Sequence, residues 1–160
     1  MKVKVKPDWS VKCVTVLDVQ WCEDNCVETL LLDVDGTLRA EHATEFKDKI
    51  LLWIKSLKEA NLNVCLVSNA KHKKIKKIAK ELDVPYVAEA EKPSSIGLKY
   101  AMTSWGYSPE TTIMVGDSKV DILAGHCAGV RTVLVDRIKD ISLGCECGCH
   151  DGMKVLEWWE

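Results

Sequence analysis

The chain has 160 residues, of which 47% are hydrophobic and 29% charged, and its net charge is −2. That length suits one domain with a buried core, and the composition excludes a disordered chain. The charge excludes a globally basic nucleic-acid binder though not a local basic patch, and apolar runs such as Leu30-Leu31-Leu32 fall far short of the ~20 residues of a membrane helix.

Met1 to Pro7 alternates Lys and Val and lacks the apolar stretch of a secretory signal. A cytoplasmic, reducing setting is therefore expected, in which the eight cysteines serve metal binding or burial rather than a disulfide framework. Residues 1–28 read as an irregular lead-in with room for one helix. Residues 29–34 (Thr-Leu-Leu-Leu-Asp-Val) form a short continuous apolar run, the pattern of a buried parallel strand. A helix follows over 45–60, with Phe46, Ile50, Leu51, Ile54 and Leu57 at helical spacing. Asn63 to Val67 is a second buried strand. A helix over 72–82 places Ile75, Ile78, Ala79 and Leu82 on one face. Next come a short strand at 84–88, a helix over about 94–105, a strand from Thr111 to Val115, a helix near 119–127 and a last strand from Thr132 to Val135. This rhythm implies right-handed βαβ crossovers, and hence a doubly wound, Rossmann-like parallel sheet covered on both faces.

In such sheets ligands bind at the carboxyl ends of strands. Four strand ends carry suggestive residues: Asp33-Val34-Asp35-Gly36-Thr37-Leu38, Ser68-Asn69, Lys92-Pro93, and Gly116-Asp117 with Asp121 four residues on. Two carboxylates leaving one buried strand repel each other, a cost that a bound cation or a held proton offsets. Ser68 and Asn69 suit an oxyanion. An EF-hand is excluded, because counting from Asp33 puts Gly36 at position 4 and Thr44 at position 12. Each signal alone has a plain structural reading as a turn, a solvated charge or a helix cap. Their ordered occurrence at successive strand ends is what singles them out.

The set D-V-D-G-T-L, S-N, K-P and G-D-S-K-V-D resembles the four motifs of the haloacid dehalogenase (HAD) phosphatase superfamily over about residues 29–136. Within it, Val67-Ser-Asn69, Ala90-Glu-Lys-Pro93 and Val115-Gly-Asp117 through Ala128-Gly129-Val130 resemble the class IIIA, YqeG-like branch. That branch is related to phosphatidylglycerophosphate phosphatases. Its members more often carry Asn at the place of Gly36 and Gln at the place of Ser118. The resemblance implies an Mg²⁺-dependent phosphomonoester hydrolase. Asp33 would be the nucleophile that forms an aspartyl-phosphate, and Asp35 the general acid and then base. Asp33, the Asp35 carbonyl and Asp117 would hold Mg²⁺, with Asp121 behind them or acting through water. Thr37, Ser68 and the Asn69 amide would hold phosphoryl oxygens, and Lys92 would offset the charge of Asp33 and of the phosphate.

Large cap domains in this superfamily follow the first motif or lie between the second and third. The intervals here, 33 positions from Asp35 to Ser68 and 24 from Ser68 to Lys92, are each filled by one helix and one strand. A capless core with an open site is therefore expected, one suited to a bulky, lipid or macromolecular phosphate. The alternatives are a phosphatase of a small metabolite and a HAD-fold binding protein with little or no turnover. The run Lys71, Lys73, Lys74, Lys76, Lys77, Lys80 reads first as a solvated helix face. Its functional reading, over Lys71 to Lys80, is attraction of an anionic membrane or nucleic acid. Val155, Leu156, Trp158 and Trp159 read as a packed terminal element or an interfacial anchor.

Cys145, Cys147, Cys149 and His150 are too closely spaced for an easy tetrahedral site on their own. With Cys22 and Cys26 they could form a structural Zn²⁺ staple between lead-in and tail. Cys13, Cys65 and Cys127 read as small core residues. The whole chain, 1–160, is read as one domain with two short extensions.

Overall fold

A computed structural model describes residues 5–139. Six parallel strands form one sheet: β1 (Trp9–Val11), β2 (Thr29–Leu32), β3 (Asn63–Val67), β4 (Tyr86–Val87), β5 (Thr112–Gly116) and β6 (Arg131–Val135), in the order β1-β6-β5-β2-β3-β4. The helices are α1 (Val19–Asp24), α2 (Asp48–Glu59), α3 (His72–Leu82), α4 (Ile96–Trp105) and α5 (Lys119–Cys127).

The central strand β2 is buried along its whole length, and its alternating side chains feed two different cores. Leu30 and Leu32 join the layer that includes Leu17, Ile50, Trp53, Leu57, Ile75 and Leu82, under α2 and α3. Leu31 joins Leu98, Ala101, Met102 and Ala124, under α4 and α5. Helices thus cover both faces, as an all-parallel sheet requires. The indole Nε1 of Trp53, on α2, donates to the Leu17 carbonyl at 2.9 Å and fastens the lead-in to this layer.

The expected helices and strands of residues 29–135 are all present, with ends shifted by a few residues. The first strand stops at Leu32, so Asp33 and Val34 already belong to the loop that leaves it. The lead-in departs from its reading as irregular. It contributes edge strand β1, paired as Trp9↔Val133, Ser10↔Leu134 and Val11↔Val135, and then a 3-10 turn and α1. Asp8 secures this pairing, its carboxylate accepting from the Thr132 N–H at 2.8 Å. Three residues with a partner more than 120 positions away leave no periodicity to read. Cys13 and Cys65 are buried as expected, but Cys127 is exposed, a correction to its reading as core. Ile122, Ala124 and Gly125 face inward on α5, and Cys127 falls on the outward side of its last turn.

Nothing beyond α2 is inserted between β2 and β3, nor beyond α3 between β3 and β4, so the core is capless among the described residues. No described helix is long and apolar enough to cross a membrane. Cys145, Cys147, Cys149, His150, Val155, Leu156, Trp158 and Trp159 lie outside the described residues.

Candidate active site

The carboxyl ends of β2, β3 and β5 open on a cleft of about 260 Å³ lined by Asp33, Asp35, Ser68, Asn69, Lys92 and Asp117, among others. Parallel pairing brings these ends together. Leu32 stands beside Leu66 on β3 and Val115 on β5, and the Asp33 N–H continues the ladder to the Val115 carbonyl at 3.0 Å. Residues 84 positions apart, Asp33 and Asp117, therefore leave adjacent strands side by side.

Lys92 stands at the centre of the charge arrangement. It is buried, and its Nζ donates to Asp121 Oδ1 at 2.6 Å, the Val67 carbonyl at 2.8 Å and Asp33 Oδ1 at 2.9 Å. Burial by itself would lower its pKa, but Asp121 and Asp33 outweigh that and hold the ammonium above the ordinary lysine range. The pKa of Asp33 is also raised, but here burial is the cause. Burial, the largest cause, together with Asp121 and Asp117 outweighs the opposing pull of Lys92, and the carboxyl is pushed up to about 7.

Asp121 is buried and uses both oxygens. Oδ1 accepts from Lys92, and Oδ2 accepts from the Ser118 N–H at 3.3 Å and the Ser118 hydroxyl at 3.1 Å, in a capping box at the start of α5. A Cβ on Gly116 would lie 2.2 Å from Asp121 Cγ, so only glycine lets this carboxylate fold back against the end of β5. Gly36 plays the matching part on the first loop. Its φ is +84°, and a Cβ there would lie 2.5 Å from Asp117 Oδ2.

Asp33, Asp117 and Asp121 each offer an oxygen, and these atoms all lie within 4.8 Å of one another. An all-oxygen, multiply charged donor set fits a hard divalent cation. The Asp35 carboxylate stands outside this group. Its Oδ2 accepts from Lys74 Nζ, and its Oδ1 is buried with no hydrogen-bond partner among the described residues.

The Thr37 hydroxyl and the Asn69 side chain, both expected near the phosphate, are engaged within the protein. Thr37 is fully buried, and its hydroxyl lies 3.1 Å from both Asp33 Oδ2 and Asp117 Oδ1, between the carboxylates rather than facing the cleft. The Asn69 side chain is committed to the Lys92 main chain, Nδ2 donating to the carbonyl at 2.9 Å and Oδ1 accepting the N–H at 2.8 Å. Asn69 thus holds the Lys92 loop onto the end of β3. Ser68 lines the cleft, where its Oγ accepts from the Ala70 N–H at 3.1 Å. Cys22, by contrast, is buried away from the cleft, its thiol pushed up to about 12 by burial and by Asp18 and Glu23, and Cys26 is exposed.

Arg137 was not legible as a site residue. It follows β6, where the Ile138 N–H donates to the Gly36 carbonyl at 2.8 Å, and its Nε donates to Asp117 Oδ2 at 2.6 Å. Its only sequence signal is a cation two residues past a strand end. Lys74 was legible only as one member of a basic run.

A capless parallel α/β core with converging carboxylates around a buried lysine at its strand ends defines a hydrolase of a recognisable class. Residues 14–129 match the family model described as haloacid dehalogenase-like hydrolase, and the chain belongs to that family. It is 25% identical over 130 residues to the "Probable phosphatase YqeG" of Bacillus subtilis, covering 81% of this chain and 76% of that protein. A shorter stretch of 47 residues is 49% identical to the pyrophosphatase PpaX of Halalkalibacterium halodurans, covering 29% of this chain and 22% of that protein. The fold matches the cobalt-bound deoxy-D-mannose-octulosonate 8-phosphate phosphatase of Haemophilus influenzae with a TM-score of 0.59 at 20% identity, over 71% of this chain and 80% of that one. The protein is an enzyme of the phosphatase type within this family.

Proposed function

We propose that the chain is a Mg²⁺-dependent phosphomonoester hydrolase that works through an aspartyl-phosphate on Asp33. The observation that carries this reading is the convergence of Asp33, Asp117 and Asp121 on one point, with the Lys92 ammonium against Asp33 and Asp121. Asp33, Asp117 and Asp121 would hold the cation. When bound, it supplies charge stabilisation to the phosphoryl oxygens.

An Asp33 oxygen attacks phosphorus while the bond to the ester oxygen breaks. Asp35 gives its proton to that oxygen, so the alcohol leaves neutral. Asp35 then takes a proton from water as the water oxygen attacks phosphorus. Inorganic phosphate departs and Asp33 is restored. The position of Asp35 in the lining of the cleft suits it to this proton traffic. Lys92 keeps the buried Asp33 carboxylate in place and offsets its charge. Ser68 and the main-chain N–H of Asn69 orient phosphoryl oxygens, since the Asn69 side chain is already engaged. The open mouth supports a bulky phosphate ester. The adjoining exposed face of α3, with Lys73, Lys76, Lys77 and Lys80, supports an anionic one.

Asp33→Asn is expected to lower Mg²⁺-dependent phosphate release by about a thousandfold or more. Acid-quenched wild-type enzyme is expected to carry a hydroxylamine-labile phosphoryl group that the variant lacks. Undiminished release by the variant would refute the assignment.

A further inference from the structure

Two cations outside the four motifs reach into the cleft from opposite sides. Lys74 comes from the first turns of α3, beyond β3, and ends on Asp35 Oδ2. Arg137 comes from the segment after β6 and ends on Asp117 Oδ2. In the sheet, β6 and β3 flank the β5-β2 pair that carries Asp117, Asp33 and Asp35. The two side chains therefore bracket the site across the direction of the sheet.

Both are exposed while their partners are not. The Lys74 and Arg137 side chains retain 43% and 55% of their accessible surface, against 26% for Asp35 and 5% for Asp117. Because the cationic ends lie in water, a ligand anion can approach them from the open side of the cleft. The Arg137 stem also has a defined seat, since its Cγ would lie 3.3 Å from a Cβ on Gly36.

Charge gives these cations a purpose. Asp33, Asp35, Glu41, Asp117 and Asp121 line the cleft, and Lys92 and Arg137 are the cations among its lining residues, with Lys74 reaching in from its edge. In formal charge, one divalent cation brings this set to neutrality. Without Lys74 and Arg137 the loaded cleft would keep one negative charge against an incoming dianion while Asp35 carries its proton, and two once Asp35 is ionised. Lys92 is buried against Asp33 and Asp121 and is committed to them, whereas the two outer cations can turn to a ligand.

We propose that Lys74 and Arg137 form a two-sided clamp for a second anionic group, a phosphate or a carboxylate, on the leaving-alcohol side of the substrate. The inference rests on the phosphomonoester hydrolase reading and narrows it to esters whose alcohol is itself an anion. Both residues are substrate-binding rather than catalytic. The clamp rewards a charge held beyond the scissile bond, where the cleft opens.

The test uses phenyl phosphate, 4-carboxyphenyl phosphate and 1,4-phenylene bisphosphate with the full chain and Mg²⁺. The two charged esters separate a carboxylate from a phosphate as the preferred group. For whichever is preferred, kcat/KM relative to phenyl phosphate is expected to fall about fivefold for Lys74→Met and again for Arg137→Met, mostly through KM. A ratio that neither substitution changes would overturn the clamp and leave the cations as mere neutralisers of Asp35 and Asp117. Calorimetric binding of the same esters to Asp33→Asn provides a readout independent of turnover. Equal affinities for all three esters would also overturn the clamp. A preference for the charged esters, lost in Lys74→Met and Arg137→Met, alongside a wild type that hydrolyses none of them, would overturn the hydrolase reading and leave the clamp standing.

Discussion

Asp33 shows how one residue meets two opposed demands. Its carboxylate has to ionise to act, yet burial pushes its pKa from 3.8 up to about 7. A carboxyl raised in this way binds its proton more tightly in the folded chain than in the unfolded one. Its contribution to stability is therefore complete below about pH 4 and is lost as pH rises through about 7. Thermal melts in chelator should show the wild type losing stability relative to Asp33→Asn between about pH 4 and pH 7, because the amide does not titrate. Parallel profiles would show that Lys92 already satisfies the charge. A cation bound by Asp33, Asp117 and Asp121 would relieve the same strain, which is a physical reason for the site to take one.

At the scale of elements, the start of α5 links stability to the site. Ser118 and Asp121 cap the helix reciprocally, and the same Asp121 carries Lys92 on its other oxygen. Ser118→Ala should cost about 1 kcal/mol through the lost cap, a fall in Tm of roughly 2–4 °C for a chain of this size. A calorimetric scan measures it, and an unchanged Tm would mean that Asp121 is held by Lys92 alone. Helix α3 also has a divided role. Ile75, Ile78, Ala79 and Leu82 fasten it to the sheet, Lys74 reaches the cleft, and the remaining lysines face solvent. The basic run is thus mostly a solvated face, as its spacing implies, with one member drawn into the site.

At the scale of the molecule, burial sorts the free cysteines among the described residues. Cys22 and Cys65 are buried, with thiols pushed up to about 12 by desolvation, whereas Cys26 and Cys127 are exposed and free. Iodoacetamide at about pH 8 should label Cys26 and Cys127 in the native protein and reach Cys22 and Cys65 only after unfolding, as peptide mass mapping would show. Labelling of Cys65 in the native state would mean that the core beneath β3 opens readily. The same two-faced packing that hides these thiols delivers four strand ends to one edge of the sheet.

Much of this architecture was legible in advance because its signals are local. Apolar runs marked the strands of residues 29–135, helical spacing marked their crossovers, and Asp33, Asp35, Ser68, Lys92, Asp117 and Asp121 stood at strand ends in family order. Other features depend on partners far along the chain. Edge strand β1 is three residues that acquire meaning only beside β6. Thr37 looks like a phosphate ligand until folding turns its hydroxyl between two carboxylates, and nothing local shows that the Asn69 side chain is tied to the Lys92 main chain. Arg137 and Lys74, separated by 63 positions, become a pair only because β6 and β3 flank the strands that carry Asp117 and Asp35. Periodicity and motif spacing record which residues are buried and which end strands. The direction in which a side chain finally donates depends on neighbours that the sheet order alone brings within hydrogen-bond reach.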